Sequence, residues 1–79
     1  MIITRVTYRA PEALYIAEEH PHGVVLTVTP IRNGFVQVAD RTNVATVYRM
    51  WDAFQVAMLH ARAYGYTTPL EVTATAVEP

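Results

Sequence analysis

Asn33-Gly34, set between two runs rich in β-branched residues, constrains this chain more than any other dipeptide in it. Both residues tolerate positive φ, which a type I′ hairpin turn demands. On its near side Val24 to Thr29 alternates, with Val24, Leu26 and Val28 on one face and Val25, Thr27 and Thr29 on the other. Phe35 to Ala39 reads as the returning strand, with Val36 and Val38 on one face. A hairpin commits the chain to an antiparallel sheet. The N-terminus joins it, because Ile2 to Arg9 alternates with period two: Ile2, Thr4, Val6 and Tyr8 against Ile3, Arg5, Thr7 and Arg9. Leu70 to Val77 is the last strand, with Leu70, Val72, Ala74 and Ala76 expected inward.

One segment is helical by composition. Trp51 to Tyr64 is rich in Ala, Met, Leu, Gln and Arg. Gly65 follows as the expected residue past the helix end, and Pro69 bars continuation. Trp51, Phe54, Met58 and Ala61 recur at three- and four-residue spacing and read as one buried stripe.

Two stretches admit two readings each. In Pro11 to His20, Pro at a first helical position, Glu12 and the Ala, Leu and Glu content lean to a short helix, whereas Leu14-Tyr15-Ile16 argues for a strand. Val44 to Tyr48 is favoured as a strand for its β-branched residues, with the helix starting near Met50; the alternative starts the helix at Asn43 as N-cap. His20-Pro21-His22-Gly23 is a turn. Assembled, the fold class is α+β: two layers, a single antiparallel sheet covered on one face by a helix over about 50–64. A helical 11–20 without the 44–48 strand gives the ferredoxin-like order βαββαβ; with that strand the sheet is a meander.

Length and composition bound the rest. With 79 residues the whole chain, 1–79, reads as one domain. Surface scaling gives about 12,900 Å² unfolded and about 4,800 Å² folded, a marginal burial for which self-association is a common remedy. A hydrophobic fraction of 52% and a net charge of −1 argue against disorder. Cys is absent, so no disulfide scaffold forms. All six basic residues are Arg, and neither Lys nor Ser occurs. That usage points to a GC-rich coding sequence and fits either a cellular protein or an accessory protein of a phage or mobile element. Serine, cysteine and lysine nucleophiles are therefore missing, as is the lysine of a P-loop. The longest apolar run is five residues, Ala13 to Ala17, far short of the roughly 18 a membrane span needs. No apolar leader opens the sequence, and a cytoplasmic location is expected.

Four sets of residues are candidates for function. Val56 and Leu59 fall off the expected stripe, near Asp52 and Ala63, and nominate the outer helix side as a self-association or partner surface, most simply in a homodimer. Arg5, Arg9, Phe35 and Gln37, interleaved with threonines, nominate the uncovered sheet face for nucleic acid or a small ligand; one Phe and a net charge of −1 make a poor footprint for nucleic acid. His20 and His22, beside Glu18 and Glu19, are a weak metal candidate, with too few ligands for a structural site. His60 is a lone potential base without a nucleophile or oxyanion device. Arg49 and Asp52 would form a surface ion pair if helical. The leading expectation is a non-enzymatic module that binds another protein and itself, with no cofactor. The alternative is a nucleic-acid or small-ligand module on the Arg/Thr/Phe face.

Overall fold

A computed structural model describes residues 2–78. In chain order the elements are β1 (Ile3–Arg9), β2 (Ala13–His20), β3 (Gly23–Arg32), β4 (Phe35–Val36), a 3-10 turn (Val38–Asp40), β5 (Thr42–Val47), α1 (Met50–Ala63) and β6 (Leu70–Val77). The strands form one antiparallel sheet in the order β4-β3-β2-β1-β6, with β5 paired to β3. The sheet curls into a half-barrel around α1. The fold is α+β, with a strand at Thr42–Val47 where 44–48 is favoured by the sequence and the helix starting at Met50 as favoured, but three expectations need correction.

The first concerns 11–20, which is a strand and not a helix, so the ferredoxin-like order does not arise. Ala13, Tyr15 and Ala17 are buried while Leu14, Ile16 and Glu18 are half-buried, a period of two that only a strand can use. Ala10 and Ala13 exchange backbone hydrogen bonds at 2.9 and 3.4 Å, closing a hairpin whose tip is Pro11-Glu12. Proline suits that position because its fixed φ is the one such turns need. Pro11 therefore starts a turn, where helix propensity alone made it the start of a helix.

The second concerns the face α1 buries. Ala53, Ala57 and Ala61 are fully buried, whereas Trp51 is 63% exposed. At about 100° per residue the buried stripe is turned roughly a quarter turn from the Trp51/Phe54/Met58/Ala61 stripe. Three alanines one turn apart let the helix backbone approach β2, β3 and β5, and the sheet supplies the bulk: Tyr15 and Leu26 are completely buried beneath it. Val56, Phe54 and Met50 flank the alanines and pack on the same core. The helix ends as Gly65 predicts. With Gly65 at φ 70°, the Tyr66 N–H reaches the Ala61 carbonyl at 2.7 Å and the Gly65 N–H that of Arg62 at 3.1 Å, a Schellman close.

The third concerns the last strand. Leu70, Val72, Ala74 and Ala76 are all exposed, where burial was expected. Helix α1 lies over β5, β3 and β2, and only its first turn and Phe54 come near the start of β6. The returning strand after Asn33-Gly34 is also shorter than expected. It spans Phe35–Val36 only, because the chain tightens into the 3-10 turn at Val38. The turn itself is as expected, with φ 54° at Asn33 and 79° at Gly34.

Candidate interaction surface

The outer strands are β4 and β5 on one side, each paired to β3, and β6 on the other, and they differ. β5 pairs with the first half of β3, and Val44 and Val47 on it pack into the core under α1. β6 pairs along its length with β1, from Ile3↔Val77 to Arg9↔Leu70, and among the described residues with no other strand. Its other edge carries the outward-facing N–H and C=O groups of a strand left unpaired. Edge strands are commonly blunted by Lys, Pro or inward charges. β6 carries one charge, Glu71, and no Lys or Pro. One bulge interrupts it: Thr7 faces Thr73 and Tyr8 faces Glu71, so Val72 is the extra residue.

Ala74 lies opposite Val6 and Ala76 opposite Thr4, so both alanines share the helix-side face of the sheet. Their short side chains bury little, which is one reason the helix gains nothing by reaching over them. At the other end of β6, Leu70 and Glu71 join Tyr8, Met50, Trp51 and Phe54 around an open hollow of ≈ 290 Å³. Its floor is built by Tyr8 against Phe54, ring centroids 5.1 Å apart. Burial, with the Glu71 charge in second place, raises the Tyr8 phenol above its ordinary pKa. Leu70 (68% exposed), Val72 (55%) and Trp51 (63%) give this end an apolar surface next to the free edge. The Arg49 guanidinium stands 5.9 Å over the Trp51 ring, holding the indole at the rim.

A second hollow of ≈ 670 Å³ lies on the other side of Met50, lined by Ile2, Ile3, Glu19, His20, Pro21, His22, Tyr48 and Arg49 among others. The His20 and His22 rings stack 5.6 Å apart across the two-residue turn. No group of three or more His, Cys, Asp or Glu among the described residues is placed to hold a metal ion.

The Arg/Thr face is a closed network. Glu18 of β2 accepts the Arg5 Nε–H at 2.8 Å and pairs with Arg41 at 3.6 Å. Arg41 Nε in turn donates to Thr27 Oγ1 at 3.0 Å. Thr27 and Thr29 are buried, not solvated. Arg9 is exposed on β1, while Phe35, 73% exposed, sits on β4, separated from β1 by β3 and β2. Gln37 donates to the Phe35 carbonyl at 2.9 Å. The four residues nominated on this face thus do not converge on one site.

The nominated helix surface divides in the same way. Val56 is half-buried against the core; Leu59 (61% exposed) and Ala63 are exposed. Asp52 is held by Arg49 at 3.2 and 3.3 Å, the expected three-residue ion pair. His60 has a structural partner that its sequence neighbours do not reveal: the Tyr15 hydroxyl, 2.7 Å from Nδ1. Sequence reasoning also missed the exposure of β6. The available signal was its own composition, since Ala74 and Ala76 offer too little side chain to be worth covering.

No helix among the described residues is long and apolar enough to cross a membrane. No protein-family model matches the chain, and neither a curated protein nor a solved structure matches it.

Proposed function

We propose that this chain is a non-enzymatic protein-interaction module whose contact surface is the free edge of β6 together with Leu70, Val72 and Trp51. One observation carries the reading. β6 is eight residues long, bonded on one side, and exposed from Leu70 through Ala76 beside an exposed indole. A strand edge offers a row of backbone donors and acceptors to any extended segment, and apolar side chains at its flank supply affinity by burial. A pairing partner would lie antiparallel or parallel to β6 and extend the sheet outward from the half-barrel.

The missing Ser, Cys and Lys support the non-enzymatic part of the reading, as does the engagement of His60 by a buried tyrosine. The surface differs from the helix side nominated by periodicity, because Val56 is taken up by the core.

The test is a titration of the isotopically labelled protein with a synthetic peptide of the β6 sequence, Leu70–Val77, followed by amide NMR. Shifts concentrated in β6 and at Trp51 support the reading. An unperturbed β6 at millimolar peptide, or shifts centred elsewhere, contradicts it.

A further inference from the structure

We infer that the partner at the β6 edge is a second copy of this chain, joined β6 to β6 across a two-fold axis centred on Ala74; the inference rests on the interaction reading above. Antiparallel pairing of two identical strands requires a two-fold axis perpendicular to the sheet. Such an axis sends the helix-side face of one copy to the helix-side face of the other. Over the regular part of the strand each residue then faces one of its own parity, so Ala74 meets its own copy and Thr73 meets the partner's Thr75, while the bulge residue Val72 falls opposite the partner's Ala76. The pairing sets alanine against alanine on the helix side and threonine against threonine on the outside. Threonine pairs are among the favourable cross-strand neighbours. This register also leaves the Val72 bulge at the margin, so that the regular part of the strand makes the joint.

Within β6 charge does not oppose the pairing, and Glu78, just past its end, falls opposite the partner's Leu70, one residue from the partner's Glu71. The single charge of β6, Glu71, falls opposite the partner's Val77. The two Glu71 side chains then lie about six residues apart along the joint, roughly 20 Å. That exceeds the screening length of about 8 Å at physiological salt. The axis also places the two Trp51/Leu70 surfaces on the same side of one continuous sheet. That sheet runs β5-β3-β2-β1-β6 and back through the partner's strands in reverse. Each apolar rim thereby flanks the joint that the backbone hydrogen bonds make.

Size sets the strength. A strand edge about 27 Å long and ~10 Å thick presents roughly 270 Å² per copy. Standard stable interfaces bury about 600–1,000 Å² per partner. The dimer is therefore a weak, reversible one rather than one that persists at every dilution.

The experiment is sedimentation velocity of the untagged full chain from low micromolar to millimolar concentration, with Ala74→Lys and Leu59→Glu in parallel. The expected result is a monomer–dimer equilibrium in the parent and in Leu59→Glu, weakened tenfold or more in Ala74→Lys. A circular dichroism melt of Ala74→Lys reports whether its fold is kept, and Thr75→Lys on the opposite face of the same strand is the second edge variant. A parent that stays monomeric while the β6 peptide still shifts β6 amides overturns the second-copy inference and leaves the interaction reading standing. A monomeric parent with no peptide response overturns both. A dimer insensitive to both edge variants places self-association elsewhere and overturns the inference.

Discussion

The Tyr15 hydroxyl lies 2.7 Å from His60 Nδ1 and is the polar tie between the middle of the sheet and the last turn of α1. Tyr15 is completely buried, and no buried side-chain polar atom is left without a partner among the described residues. With the phenol as donor, the imidazole accepts at an unprotonated Nδ1. The surroundings favour that state, since burial lowers the His60 pKa below its ordinary value. The rings of Tyr64 and His60 stack 4.5 Å apart, and Tyr66 stacks on Tyr64 at 5.7 Å.

The pH dependence follows in sign. The unfolded chain binds a proton at His60 more readily than the folded one, so stability rises with pH across that titration. The contribution is full above the ordinary value of 6.5 and is lost as pH falls through the lower folded value. At the alkaline end Tyr15, pushed up to about 12 by burial, stays protonated in the fold while the unfolded phenol ionises near 10, so stability falls as pH climbs between those values. Chemical denaturation across pH checks both limbs. Tyr15→Phe should lower stability by about 0.5–1.5 kcal/mol and flatten the alkaline limb. His60→Ala should lower it by about 1–3 kcal/mol, because it leaves the buried hydroxyl unpaired.

The alanine stripe makes an opposite prediction for two neighbouring positions. Ala57→Leu inserts bulk where the helix backbone lies closest to the sheet and should cost about 1–3 kcal/mol. Trp51→Ala, at a residue mostly in solvent, should change thermal stability little. If the larger loss came from Trp51, the helix would be seated on the other stripe.

Why the sequence predicts that other stripe is a matter of bulk against proximity. Trp51, Phe54 and Met58 are the residues with most area to hide, and periodicity gives them the core. The sheet already supplies two tyrosines and a leucine, so the complementary face is the one made of alanines. The β-hairpin turn at Asn33-Gly34 and the end of α1 at Gly65 were legible because local backbone chemistry decides them, and the 44–48 strand, favoured over a helix from Asn43, is met by Thr42–Val47. The 11–20 segment was not, since helix propensity and strand alternation compete over ten residues until the β1–β2 pairing resolves them. Of the site residues, the ion pair Arg49–Asp52 could be read from spacing, whereas the Glu18 bridge between Arg5 and Arg41 joins three elements far apart in sequence.

Gly23 offers a test of how tightly β5 is held. At φ 140° it begins β3, and a Cβ there would stand 2.7 Å from the Val47 carbonyl oxygen. Gly23→Ala must either shift β5 or strain the backbone, and should cost about 1–3 kcal/mol. Faster amide exchange at Thr46 and Val47 than at the β1–β2 pairing would locate the damage. Gly34→Ala, with open space around its Cβ, should cost less although its φ is also positive.

The measurement that tests the central claim most directly is hydrogen–deuterium exchange of the β6 amides as protein concentration is raised. The outward N–H groups of an edge strand have only water as partner, and they gain protection when another strand pairs with them. The account predicts fast exchange of alternate β6 amides at low micromolar concentration and slowing at high concentration, with Trp51 fluorescence changing over the same range. Exchange in β6 that is equally fast at every concentration, and unaltered by the Leu70–Val77 peptide, would contradict the assignment of this edge as the interaction surface.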